Sequence, residues 1–93
     1  MPLTRFGVTI YGYSAATGEK LIAKARRSPQ NIRFEEFETL LRHAGWAFDR
    51  QAGSHRIWIS TARFRLSIQE TSGNAKAYQV RQFLAQYDRE AKA

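Results

Sequence analysis

Cysteine is absent from this chain, which excludes a disulfide framework and thiolate metal sites and fits a reducing, cytoplasmic setting. Acidic residues are scarce beside basic ones, 8 against 15, and the 93 residues carry a formal net charge of +7. The few carboxylates are scattered along the chain, so no metal site and no cofactor is expected. No apolar run approaches the roughly 18 residues of a membrane span. The start MPLTRFGVTIYGY lacks the basic and then apolar regions of a signal peptide. No internal repeat or low-complexity tract is present. What is present is ordinary for a globular chain, with 43% hydrophobic and 25% charged residues, which argues against disorder. A chain this short makes one small domain that buries only about 60–65% of its unfolded surface. A pI near 10.4 points to polyanions, nucleic acid before membrane surface. No helix is strongly basic on one face and richly aromatic on the other, which disfavours the membrane.

Residues 1–17 stand apart as an N-terminal extension, and 18–93 read as the domain. Phe6, Val8 and Ile10 alternate with Gly7, Thr9 and Tyr11, so the extension is either an edge strand or a loose segment. SAATG after it reads as a flexible joint. Glu19 to Arg27 reads as a short helix capped by Thr17 or Ser14 and stopped by Ser28-Pro29. Phe34, Phe37, Leu41 and Ala44 form a helical stripe, with Asn31 as the expected cap and Gly45 as the residue that ends the helix. His43 lies ~130° from that stripe at about 100° per residue and is expected in solvent.

After Gly45 the period falls to two. Trp46, Phe48 and Arg50 alternate with Ala47, Asp49 and Gln51; Gly53-Ser54 suits a type II′ hairpin turn. His55, Ile57 and Ile59 then alternate with Arg56, Trp58 and Ser60. Beyond a turn at Thr61-Ala62, Phe64, Leu66 and Ile68 alternate with Arg63, Arg65 and Ser67. These strands predict a three-stranded antiparallel meander. A polar loop over 70–76 leads to a last helix from Ala77 to about Glu90. The order α-α-β-β-β-α predicts an α+β domain with helices on one face of a small sheet.

A meander returns its third strand to the edge where the first ends. Arg50, Gly53, Ser54, His55, Lys76 and the N-terminus of the last helix therefore share one rim. Orphan N–H groups and a partial positive charge make such a helix start a natural phosphate seat. Lys76 adds a full charge, Arg50 a fork for two phosphate oxygens, and Gly53 close backbone approach. By parity with Ile57 and Ile59, His55 is expected on the helix-covered face at the border of the core. On the residues alone, a histidine beside a turn is more often an ordinary surface residue, Gly53 serves the turn, and strand arginines are a solvated face. Trp58 is expected on the face away from the helices with Arg56, Arg63 and Arg65. There it would be covered by residues 6–13, meet a protein partner or stack on RNA, the first two being favoured.

FEEFETLLRHAGWAFDRQAGSHRIWI, followed by a strand and AYQVRQFL, resembles the HicA family of bacterial toxin–antitoxin ribonucleases over about residues 31–87. The shared pattern is a helix ending Leu-Leu-x-x-x-Gly, an aromatic, a strand with Arg, and Gly-Ser-His opening the next strand. The resemblance implies a fold like the double-stranded-RNA-binding domain, α-β-β-β-α, here with an added N-terminal helix and extension. It implies a metal-independent endoribonuclease that cuts mRNA and is neutralised by a HicB-type antitoxin. The family's functional histidine falls on His55; Arg50, Gly53, Ser54, Arg56 and Lys76 become the RNA-binding set, and Trp58, Arg63 and Arg65 the partner-binding set. Many relatives follow the third strand with proline and another histidine, where this chain has Gln69, Glu70 and Thr71; Arg56 stands where relatives often have a second residue such as His. The rival reading is a non-catalytic RNA-binding module of the same fold, which needs the basic rim and no catalytic group.

Overall fold

A computed structural model describes residues 15–92, so the alternating stretch at Phe6, Val8 and Ile10 lies outside the described residues. In chain order come α1 (Ala15–Arg27), a 3-10 turn (Pro29–Asn31), α2 (Phe34–His43), β1 (Ala47–Ala52), β2 (His55–Ile59), β3 (Arg65–Ile68), β4 (Glu70–Thr71), β5 (Asn74–Ala75) and α3 (Ala77–Ala91). β1, β2 and β3 form an antiparallel sheet in that order. The helices cover one face of it, in the α+β arrangement of the double-stranded-RNA-binding fold.

α2 carries the stripe read from the sequence: Phe34, Phe37 and Leu41 are buried, with Leu40 beside them. It ends in a Schellman motif. The Gly45 N–H reaches the Arg42 carbonyl at 3.0 Å and the Trp46 N–H the Leu41 carbonyl at 2.9 Å, with Gly45 at φ +87°. At the other end the cap is Arg33 and not Asn31, which lies in the 3-10 turn. The Glu36 carboxylate closes that end by accepting the Arg33 N–H at 2.9 Å. The stretch read as a polar loop contains a small hairpin, β4–β5, turned by Ser72 and Gly73 at φ +51° and +84°. It pins the start of α2: Gly73 O accepts the Phe34 N–H and Ile32 O the Ala75 N–H, both at 2.9 Å.

β2 corrects the expected facing. Register pairs Trp58 with Leu66 and Arg56 with Ile68, and both β3 residues are buried beneath the helices. Trp58 therefore points into the core, 1% exposed, while His55, Ile57 and Ile59 take the other, outer face, His55 exposed and Ile57 buried but apart from the main core. A bulge between Phe48 and Arg50 then separates two residues whose spacing promised one face: Phe48 pairs with Trp58, and Arg50 with Ile57. Parity misled because each face of β2 carries large apolar side chains, Ile57 and Ile59 on one and Trp58 on the other.

α1 begins before the expected helix, for Ala15–Gly18, read as a joint, is its first turn. Arg26 holds Asp88 of α3 through two bonds of 3.0 and 2.8 Å, and Lys24 holds Glu36 of α2 at 3.0 Å. The hydrogen bond from Arg26 keeps the Asp88 carboxyl below the ordinary aspartate range. His43 is not in solvent. Its ring packs on Gly18, where an added Cβ would stand 2.1 Å from Nδ1, and Nε2 lies 4.0 Å from Glu19.

A helical Gly→Ala change ordinarily stabilises by roughly 1 kcal/mol. Gly18→Ala is expected to do the reverse and lower the melting temperature, because the methyl displaces the His43 ring; Gly18→Ala combined with His43→Ala should recover the loss. A higher melting temperature for Gly18→Ala alone contradicts this packing.

Candidate functional site

The rim read from the topology exists, and two polar residues that sequence reasoning passed over hold it together. Gln69, just past β3, donates from Nε2 to Ser54 Oγ and accepts from Lys76 Nζ, both at 3.0 Å. Its backbone N–H donates to Gln79 Oε1 at 2.9 Å, and Gln79, in the first turn of α3, is buried. The β1–β2 turn, the end of β3 and the start of α3 are thereby linked through one carboxamide. Ser67 is the second such residue. Its Oγ lies 2.8 Å from Nδ1 of exposed His55 on the outer face. The signal was the β3 parity, which puts Ser67 and Gln69 on one face and, in antiparallel register, beside His55.

Hydroxyl oxygen both donates and accepts, so Ser67 can hold the imidazole whichever ring nitrogen carries the proton. Nε2 of His55 has no partner among the described residues. α3 starts at Lys76 with extended backbone, no side-chain cap and no acidic residue in its first turn, so its positive end is not neutralised locally. Gly53 sits at φ +62° with nothing within 4 Å of an added Cβ, so the turn alone accounts for it.

The other predicted residues fall elsewhere. Arg50 is exposed and pairs with its neighbour Asp49 at 2.9 Å. Arg56, expected with Trp58 on the face away from the helices, lies with it on the helix-covered face of β2, where it pairs with Glu38 of α2 and donates to Gln51 Oε1 at 3.2 Å. Trp58 Nε1 donates to the same Glu38 carboxylate at 3.2 Å, with Arg42 5.3 Å over its ring. Trp58 is thus shielded from any partner. Arg65 is exposed across from Ile59, and Arg63 holds φ +73° in the β2–β3 turn; neither lies on a face with Trp58. Among the described residues no three His, Cys, Asp or Glu side chains gather as a metal would need. None of the described helices is long and apolar enough to cross a membrane.

Residues 34–88, more than half of the chain, match the protein-family model described as HicA toxin of bacterial toxin–antitoxin. The chain belongs to the HicA family. The HicA match runs from the first residue of α2 into α3, so it contains the sheet, His55 and the Gln69 linkage and leaves α1 outside. No curated protein and no solved structure matches the chain. A HicA protein is the toxin of a toxin–antitoxin pair, and an antitoxin partner goes with that membership.

If Arg56 serves packing, Glu38→Ala should cost roughly 1.5–3 kcal/mol, the range for hydrogen bonds to charged groups. In a denaturation double-mutant cycle with Arg56→Ala, the two losses should overlap by at least ~0.5 kcal/mol. Strictly additive losses contradict the pairing.

Proposed function

We propose that this HicA protein is a metal-independent endoribonuclease toxin that cuts mRNA in the cytoplasm, with His55 as its proton-transfer group, and that a HicB-type antitoxin neutralises it by covering the rim. The observation that carries the reading is the His55 imidazole, held at Nδ1 by Ser67 with Nε2 open, on the rim that also bears Lys76 and the uncapped start of α3. RNA supplies its own nucleophile. Cleavage requires the 2′-hydroxyl to lose a proton, the crowded phosphate to be stabilised, and the departing 5′-oxygen to gain a proton. Histidine ordinarily titrates near 6.5, so one imidazole can take the first proton or give the last.

Lys76 and the α3 N–H groups are placed to counter charge on the phosphorane, and Arg50 stands by on the outer face of β1. Arg56, committed to Glu38, is left to structure. Residues 50–81 hold six basic residues and one acidic, so +5 of the net charge falls in the stretch of chain that carries the site and contributes to the field that steers a polyanion. The same field favours an acidic antitoxin surface over this rim.

A well-placed acid or base contributes about 10²–10⁴ in rate. His55→Ala is therefore expected to slow cleavage of mRNA in EDTA at least a hundredfold while RNA affinity stays within about threefold. Ser67→Ala, which frees the ring from its 2.8 Å contact, should produce a smaller loss of rate. Cleavage by His55→Ala at the wild-type rate overturns the assignment. Wild type that binds RNA and cuts none of it supports the non-catalytic module.

A further inference from the structure

Beside the rim, on the side of β2 that faces the helices, lies a cleft of about 340 Å³ lined by Phe34, Gln51, Ser54, Arg56, Glu70 and Ser72. Its volume is at the lower end of ligand pockets, which run roughly 300–1,000 Å³. Ser54 belongs to both cleft and rim, so a chain crossing the rim can place a neighbouring unit in the cleft.

Most of the polar lining is already engaged. Gln51 Nε2 donates to the Gly53 carbonyl at 3.1 Å and its Oε1 accepts from Arg56; Ser54 Oγ accepts from Gln69; Arg56 is neutralised by Glu38. Two groups are left over: the Glu70 carboxylate and the Ser72 hydroxyl have no hydrogen bond or ion pair among the described residues. Glu70 is singular. Of the chain's eight carboxylates, the other seven each have a basic or hydrogen-bonding partner. Glu70 is also the lone acidic residue within the basic stretch 50–81, where an arginine partner would be easiest to find.

A carboxylate only accepts, through two oxygens side by side. Among the four RNA bases, guanine alone offers two adjacent donors on its Watson–Crick edge, N1–H and the N2 amino group, with the O6 acceptor next to them. Cytosine and adenine set an acceptor beside their amino group, and uracil sets an acceptor on each side of its single N–H. We infer that the cleft receives a guanine of single-stranded RNA, Glu70 accepting from N1–H and the N2 amino group and Ser72 donating to O6. Phe34 supplies an apolar wall. This inference rests on the RNA reading above and adds to it a base preference, independent of whether His55 cuts.

The test uses the full chain and uncleavable 2′-O-methyl oligonucleotides of one length, a single guanine or adenine set in a uridine background. Fluorescence anisotropy should show the guanine oligonucleotide binding roughly tenfold more tightly than the adenine one, the scale of one bidentate base contact. Glu70→Gln and Glu70→Ala should each remove that ratio, even though loss of a negative charge raises affinity for both oligonucleotides, and His55→Ala should leave it unchanged. Equal binding of the two oligonucleotides by wild type, or a ratio that survives both Glu70 variants, overturns the cleft assignment while leaving the RNA reading intact. Binding to neither overturns both.

Discussion

The Glu38 carboxylate is where helix and sheet are made to agree. It projects from α2 onto β2 and takes two donors at once, the Arg56 guanidinium and the Trp58 indole N–H. Both groups are costly to bury without a partner, and one acceptor satisfies them together. Residues 56 and 58 lie on the same face of a strand, so holding both by one carboxylate decides which face of β2 meets the helices. His55 and Ile57 are then turned outward by the strand's period of two. The histidine is exposed because its neighbour is anchored. Phe48 completes the arrangement, edge-on to Trp58 at 5.7 Å and beneath the Arg56 guanidinium at 4.2 Å.

That division of labour also sorts the arginines. Five of the six basic residues in the 50–81 stretch are arginines, and nothing in their type distinguishes them. Position does. Arg56 is a packing group with its charge balanced by Glu38, Arg50 is half-spent on Asp49, and Arg65 is exposed on the outer face. Lys76 is the cation that the Gln69 carboxamide ties to the histidine-bearing turn. The long-range field of +7 draws a polyanion in; the local groups that meet the phosphate are few.

How much was legible in the sequence depends on whether one residue type had a single physical solution. Gly45 and Gly53 did, since each occupies a positive φ that a turn or helix end demands. So did the stripe of α2 and the alternation of β3, where apolar and polar residues sort cleanly. The topology that gathers Ser54, His55 and Lys76 followed from short turns alone. β2 had two solutions, because Ile57 and Ile59 on one side rival Trp58 on the other. The tie was broken by Leu66 across the strand and Glu38 across the layer, neither of which a single strand reveals. The β1 bulge, a pair of two-residue strands and the fit of His43 onto Gly18 leave no period to read. Ser67 and Gln69 carry no motif of their own; their role comes from register, which places them beside His55.

The claim at the centre of this account is that the His55 rim cleaves RNA by turning its own 2′-hydroxyl on the adjacent phosphate. Analysis of the ends formed in EDTA tests that most directly. The account predicts upstream fragments ending in a 2′,3′-cyclic phosphate, downstream fragments beginning with a 5′-hydroxyl, and no cut where the 2′-hydroxyl at the site is replaced by hydrogen. Fragments with 5′-phosphate and 3′-hydroxyl ends, or cleavage that survives 2′-deoxy substitution, would contradict it.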